Sequence, residues 1–288
     1  MRAEQAADAR QAILHVLSLH ETEFPEATRQ IAPDPPPVDP HPIIKRHRKQ
    51  ATKGISIFAR KARTAAKQAA DAAAAAEVKT ISASDAKLQA AYQAEFDDTW
   101  RQLTKGVSDV VLAQLAQAFE DNDAAAAPVG VSRGEASVIT VVPNAEDVPD
   151  SKPSTTTAGN PTTKKLTKQE RADLYLAMVA GYILVTVKEA FAVAPTLKYV
   201  RIVAVRDPGP DAYGHQRVEP ILAAKFARGA LLGVQWRSID APQIMSEIAA
   251  DLVVNVLGRN KELATLDLRA EPDIAKLIAK VDVGELLD

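Results

Sequence analysis

Five histidines, at positions 15, 20, 41, 47 and 215, are the first place to look for metal or acid–base chemistry in this 288-residue chain. A metal site needs several donors converging on one ion. No two of these histidines stand at ligand spacing, and four of them fall in the helix ends and basic loop of the N-terminal half. Ser84-Asp-Ala-Lys87 fits the Ser-x-x-Lys pattern of an activated serine, but its companion motifs are missing, and Ser84 reads as a helix N-cap. There is no glycine-rich phosphate loop and no nucleophile elbow. Neither a metal nor a cofactor is expected. What remains is charge. The stretch Ile43–Lys67 carries nine cations, Lys45, Arg46, Arg48, Lys49, Lys53, Arg60, Lys61, Arg63 and Lys67, and no acid. Such a segment suits salt-dependent contact with a phosphate backbone, an anionic membrane surface or an acidic protein.

The elements that carry these residues are legible in part. Residues 3–20 predict a short helix, with Ile13, Leu14 and Leu17 at its far end. The run 32–42, APDPPPVDPHP, predicts a stiff extended linker, because proline fixes its own φ and restricts its predecessor. From Ile55 onward Phe58, Ala62, Ala65, Ala66 and Ala69 share a helical face, with Gly54 as a break before it. The alanine run 70–78 continues that helix to Ser82–Ser84. A further helix is expected from Ser84 to about Asp121, on the stripe Leu88, Tyr92, Phe96, Trp100, Leu103. These two helices are expected to pair as a hairpin.

The C-terminal half reads as α+β. Glu135–Val142 is a β-branched strand, and 143–166 a flexible polar loop. Thr167 and Glu170 form a capping box opening an apolar helix to about Val193. Its most apolar part, Leu174–Val187, is too short to span a bilayer and predicts a buried core helix. Tyr199–Arg206, apolar on both faces, predicts a central strand. It is followed by the turn DPGPDAYG and a return strand with Glu219 and Lys225 on one face. A third strand is expected over Leu231–Trp236. A helix is expected from Asp240 to Gly258 on the stripe Ile244, Ile248, Leu252, Val256, with a short strand at 266–268 and a last helix from Glu271.

The order helix, strands, helix, strand from Thr167 to Leu268 resembles the core of the PD-(D/E)xK nuclease superfamily. That resemblance implies a divalent metal held by an acid at a strand end and by an acid–x–Lys in the next strand. The positions nearest to this pattern are Asp207, Glu219 and Lys225, although Glu219 and Lys225 stand six apart rather than two.

The expected architecture is therefore α+β. It comprises an N-terminal helix (1–31), a Pro-rich linker (32–42), a basic and Ala-rich helical hairpin or bundle (43–123) and an α+β domain (131–288) with a small mixed or antiparallel sheet. A net charge of −2, the absence of cysteine and an N-terminus without a signal-peptide pattern lead to the expectation of a cytoplasmic protein, and the composition to that of a bacterial source. The expected role is non-enzymatic binding or assembly, with a nucleic acid or acidic protein met by the basic segment, or self-association through the Ala-rich helices. A metal-dependent nuclease is the alternative.

Overall fold

The computed structural model describes residues 2–210, 212–213 and 217–281; His215 and part of the 207–214 turn lie outside them. Along the chain run α1 (Arg2–Ser18), α2 (Pro40–Ala51), α3 (Arg60–Lys105), α4 (Ser108–Phe119), β1 (Ala126–Ser132), β2 (Glu135–Val141), β3 (Ser151–Thr155), β4 (Pro161–Lys165), α5 (Lys168–Val193), β5 (Tyr199–Arg206), β6 (Glu219–Ala227), α6 (Ala241–Ile248), β7 (Ala249–Leu257), β8 (Glu262–Ala264) and α7 (Pro272–Ile278). The fold is α+β. Two compact units divide it, one of Met1–Ala27 with Gln102–Asp288, the other of Thr28–Arg101.

The first unit is built on a six-stranded mixed sheet in the order β1-β2-β5-β6-β7-β8. β2 and β5 are parallel and every other neighbouring pair is antiparallel. The β2–β5 crossover contains α5, which packs on one face of the sheet. Its Thr167 side chain accepts from Glu170 N while Glu170 Oε2 accepts from Thr167 N, as the capping box requires. At its other end Arg228 donates to the carbonyls of Phe191 and Ala194, groups a helix end leaves open, and to that of Leu197 in the chain leading to β5. Gly181 in the middle of α5 admits Leu19 closely, since a Cβ there would lie 2.9 Å from Leu19 Cβ. By length and composition α5 is the one helix among the described residues that could cross a membrane, and 67% of its most apolar window is buried within the protein. On the opposite sheet face Ile139, Val203, Val205 and Ala223 pack with Leu266 and Ile274 of the C-terminal segment.

Several expected elements are replaced by others. The segment 143–166 holds the β3–β4 hairpin, which packs on α1. β1 pairs as an edge strand with β2 through the two-residue turn Arg133-Gly134, both with positive φ (54° and 78°). Leu231–Trp236 forms no strand: a 3₁₀ turn at Arg228–Leu231 is followed by irregular chain. Asp240 caps α6 as expected, but α6 stops at Ile248, and Ala249–Leu257 pairs with β6 instead of continuing the helix. Leu252, Val253, Val254 and Val256 are better suited to a pleated strand than to a helix surface. The short strand lies at Glu262–Ala264, and Leu266 N donates to Pro220 O just beyond it.

The second unit is helical. α3 is one helix of 46 residues, about 70 Å at 1.5 Å per residue, and no break occurs at Ser82–Ser84. Those serines lie exposed in mid-helix, where the alanines on either side favour continuation. The hairpin therefore forms between α2 and α3. The Pro-rich segment does not hang free. Arg29 forks onto Asp97 at 2.7 and 2.8 Å, Ala32 N donates to Gln93 Oε1, and Gln89 donates to Asp34, so 29–34 lies antiparallel along α3. Asp39 then caps α2, with Pro40 in its first turn. Only three apolar residues of this unit, Ala32, Ala70 and Ala74, are fully buried among those described.

Candidate functional site

The α2–α3 hairpin divides its charges by position. On the side away from the turn, Arg46, His47 and Arg48 are matched by acids, while Lys45 makes no salt bridge among the described residues. Arg48 forks onto Asp71 at 2.6 and 2.7 Å, Arg46 pairs with Glu77, and His47 Nε2 lies 2.6 Å from Glu77 Oε2. The Arg48 hydrogen bonds hold the Asp71 carboxyl below its ordinary range. Arg46, then His47, do the same for Glu77. On the turn side the matching stops. Between Lys49 and Ala70 the sequence has six cations and no acid. Lys49, Lys53, Arg60, Lys61 and Lys67 are exposed and Arg63 is half-buried. Lys67 acts on Asp71 by charge alone, and no salt bridge to any of the six occurs among the described residues.

The turn itself is ordered. Gly54 takes φ +84°, which a residue with a Cβ rarely adopts. Ile55 N donates to Thr52 O, and Ala59 N to Ser56 O. The helix expected from Ile55 begins only at Arg60, so Ile57 and Phe58 stand in the turn rather than on a buried helical stripe. Arg60, Lys61 and Arg63 occupy the first turn of α3, which has no acid. A helix N-terminus already carries partial positive charge, so cations there are placed against the local preference.

Of the nine cations expected to form a polyanion surface, Arg46 and Arg48 are thus spoken for, and Lys45, Lys49, Lys53, Arg60, Lys61, Arg63 and Lys67 remain. The sequence shows the absence of acids between Lys49 and Ala70. It does not show that Asp71 and Glu77 return to α2, because that depends on where the helices pair.

The second candidate set is not brought together. Asp207 Oδ1 accepts from Gly209 N at 2.7 Å in an Asx turn, the bland role of such a residue. Glu219 accepts from Arg206 at 2.9 Å. Lys225 reaches Glu135 at 2.6 Å. A β-bulge decides the matter. Ala204 pairs with Leu222 but Val205 pairs with Pro220, so Ile221 is skipped and the alternation of faces is reset. Glu219 therefore faces the α5 side with Arg206, and Lys225 the α7 side with Arg201. They are also about 20 Å apart along the strand, at about 3.3 Å per residue. No group of three or more potential metal-ligating residues clusters among those described.

No family model, curated protein or solved structure matches this chain. The remaining polar sites are in the sheet unit. Glu135 accepts from Arg201 at 3.0 Å and from Lys225, whose Nζ lies 4.5 Å above the Tyr199 ring. Burial alone would raise the Glu135 carboxyl, but the two cations outweigh it and hold it below the ordinary range. Glu135, Tyr199 and Lys225 line a cleft of about 550 Å³ together with Arg133 and Lys280. A second cleft, of about 410 Å³ at the α5 N-terminus, contains Arg171, Tyr175 and Arg206. Burial pushes the Tyr175 hydroxyl up, with Arg206 opposing. Cations and acids are mixed in that cleft, since Lys168, Arg171 and Arg206 stand with Glu146 and Glu262.

Proposed function

We propose that this is a binding protein that docks on a polyanionic partner through the turn end of the α2–α3 hairpin. The observation that carries this reading is the run of six cations between Lys49 and Ala70, with no acid and no salt bridge among the described residues. Two physical arguments support it. Counterions condensed on a polyanion are released when such a surface meets it, which gives affinity without a shaped pocket. The cations at the α3 N-terminus oppose the helix dipole, and a partner carrying negative charge relieves that opposition. The test is retention on immobilised heparin across a salt series. Affinity is expected to fall roughly linearly with salt on logarithmic axes. Arg60→Glu, Lys61→Glu and Arg63→Glu together are expected to weaken it at least about 100-fold. Native protein that passes through heparin at low salt would overturn the proposal.

A further inference from the structure

The turn that carries the cations also carries apolar side chains with nowhere to go. Ile57 is 70% exposed and Phe58 is 87% exposed. They are neighbours in the chain and lie between Lys53 and Arg60. A single exposed apolar side chain on a surface needs no explanation. Here two adjacent ones occupy the end of a helical hairpin, in a turn fixed by its own hydrogen bonds from Ile55 N to Thr52 O, Ala59 N to Ser56 O, Arg60 N to Phe58 O and Phe58 N to Ser56 Oγ. That backbone holds both side chains outward at the same end as Lys49, Lys53, Arg60, Lys61 and Arg63.

We infer that the partner of this turn is an anionic lipid bilayer, which Ile57 and Phe58 enter while the surrounding cations meet the headgroups. The inference rests on the polyanion-docking reading above and names the polyanion. Charge complementarity selects anionic headgroups, and depth selects the bilayer. A duplex presents phosphates outside, with no apolar layer beneath them. A bilayer presents anionic headgroups over hydrocarbon, the order in which this turn presents its cations and its apolar tip. Alanine dominates α3 next to the turn, so nothing apolar on the helix itself competes to lie in the interface: from Arg60 to Glu77 it carries no large apolar side chain.

Co-sedimentation of the full chain with phosphatidylcholine vesicles, with and without phosphatidylserine, tests this directly. Binding is expected only with phosphatidylserine, and each tip cation removed is expected to weaken it about 5-fold. The double substitution Ile57→Ser, Phe58→Ser is expected to weaken vesicle binding about 10-fold while leaving heparin retention and far-ultraviolet circular dichroism unchanged. Phe58→Trp gives a direct readout, because insertion shifts its emission to the blue on phosphatidylserine vesicles alone. Unchanged vesicle affinity in the double variant, with heparin retention intact, would overturn the lipid inference and leave polyanion docking standing. A larger loss on single-stranded DNA than on vesicles would overturn it in favour of base stacking by Phe58. Loss of heparin retention in the native protein at low salt would remove the underlying reading as well.

Discussion

On the sheet, Arg201 and Lys225 converge on one carboxylate, Glu135, at 3.0 and 2.6 Å. At the hairpin turn, Arg60, Lys61 and Arg63 converge on none among the described residues. The residue types are the same and the surroundings are opposite. The sheet cations are half-buried, where an unpaired charge is expensive, so each has an answering acid. Of the hairpin cations Arg60 and Lys61 are exposed to water, where an unpaired charge costs little, and only Arg63 is half-buried, so this end is open to a partner. A cation count alone does not mark a binding surface; the distribution of acids around it does.

The largest effect that could break this contrast is charge reversal at the turn. Arg60→Glu, Lys61→Glu and Arg63→Glu together should abolish heparin retention, while Arg201→Glu, whatever it does to folding, is not expected to alter retention of the folded fraction. Next comes Glu135→Ala, which strands two half-buried cations. It is expected to destabilise the sheet unit by about 1–3 kcal/mol in urea unfolding and to leave heparin affinity within about 2-fold. If it instead strengthens heparin binding markedly, the cleft at Arg133 and Lys280 shares the partner.

Acid titration sharpens the same contrast for a matched pair. Glu170 accepts from Lys152 and from Thr167, and these bonds lower its carboxyl from its ordinary 4.5 to about 2. A carboxyl lowered in the folded state adds stability that is present above pH 4.5 and lost as pH falls through about 2. Hydrogen-exchange protection at the start of α5, taken relative to the intrinsic rate at each pH, should therefore fall across that window, and Glu170→Gln should remove this pH dependence of protection. The smallest effect concerns the α3 N-terminus. Lys61→Glu should raise the melting temperature of the hairpin slightly, by the order of 1 °C, because it replaces a cation that opposes the helix dipole. A substitution that stabilises the helix and weakens docking would separate what the residue does for folding from what it does for binding.

How much of this was readable from the chain varies with the source of the signal. Thr167 with Glu170 and Asp240 announce helix starts because capping is local chemistry. YVRIVAVR announces a central strand because burial on both faces leaves no polar alternation. Ser82–Ser84 misleads, because serine is a good cap and a tolerable mid-helix residue, and only the neighbouring alanines decide between them. Residues 249–257 mislead for another reason: Leu252 and Val256 continue the helical stripe of Ile244 and Ile248, but β6 supplies a strand partner that no local pattern reveals. β1, with Pro128 and Gly130, has poor strand propensity and is held by pairing to β2. The bulge at Ile221 is not legible at all, yet it sends Glu219 and Lys225 to opposite faces of the sheet.

The hairpin unit buries three alanines and little else that is apolar among its described residues. Heat capacity on unfolding scales with the apolar surface released. Melting Thr28–Arg101 should therefore carry a small heat-capacity step, and its stability should change almost linearly with temperature. The sheet unit, with Phe226, Ile183, Leu184, Ile202 and Leu222 sealed inside, should follow a strongly curved profile. Cooling would then weaken the sheet unit while the hairpin gains, so the two halves of one chain would part company in the cold as well as in the heat.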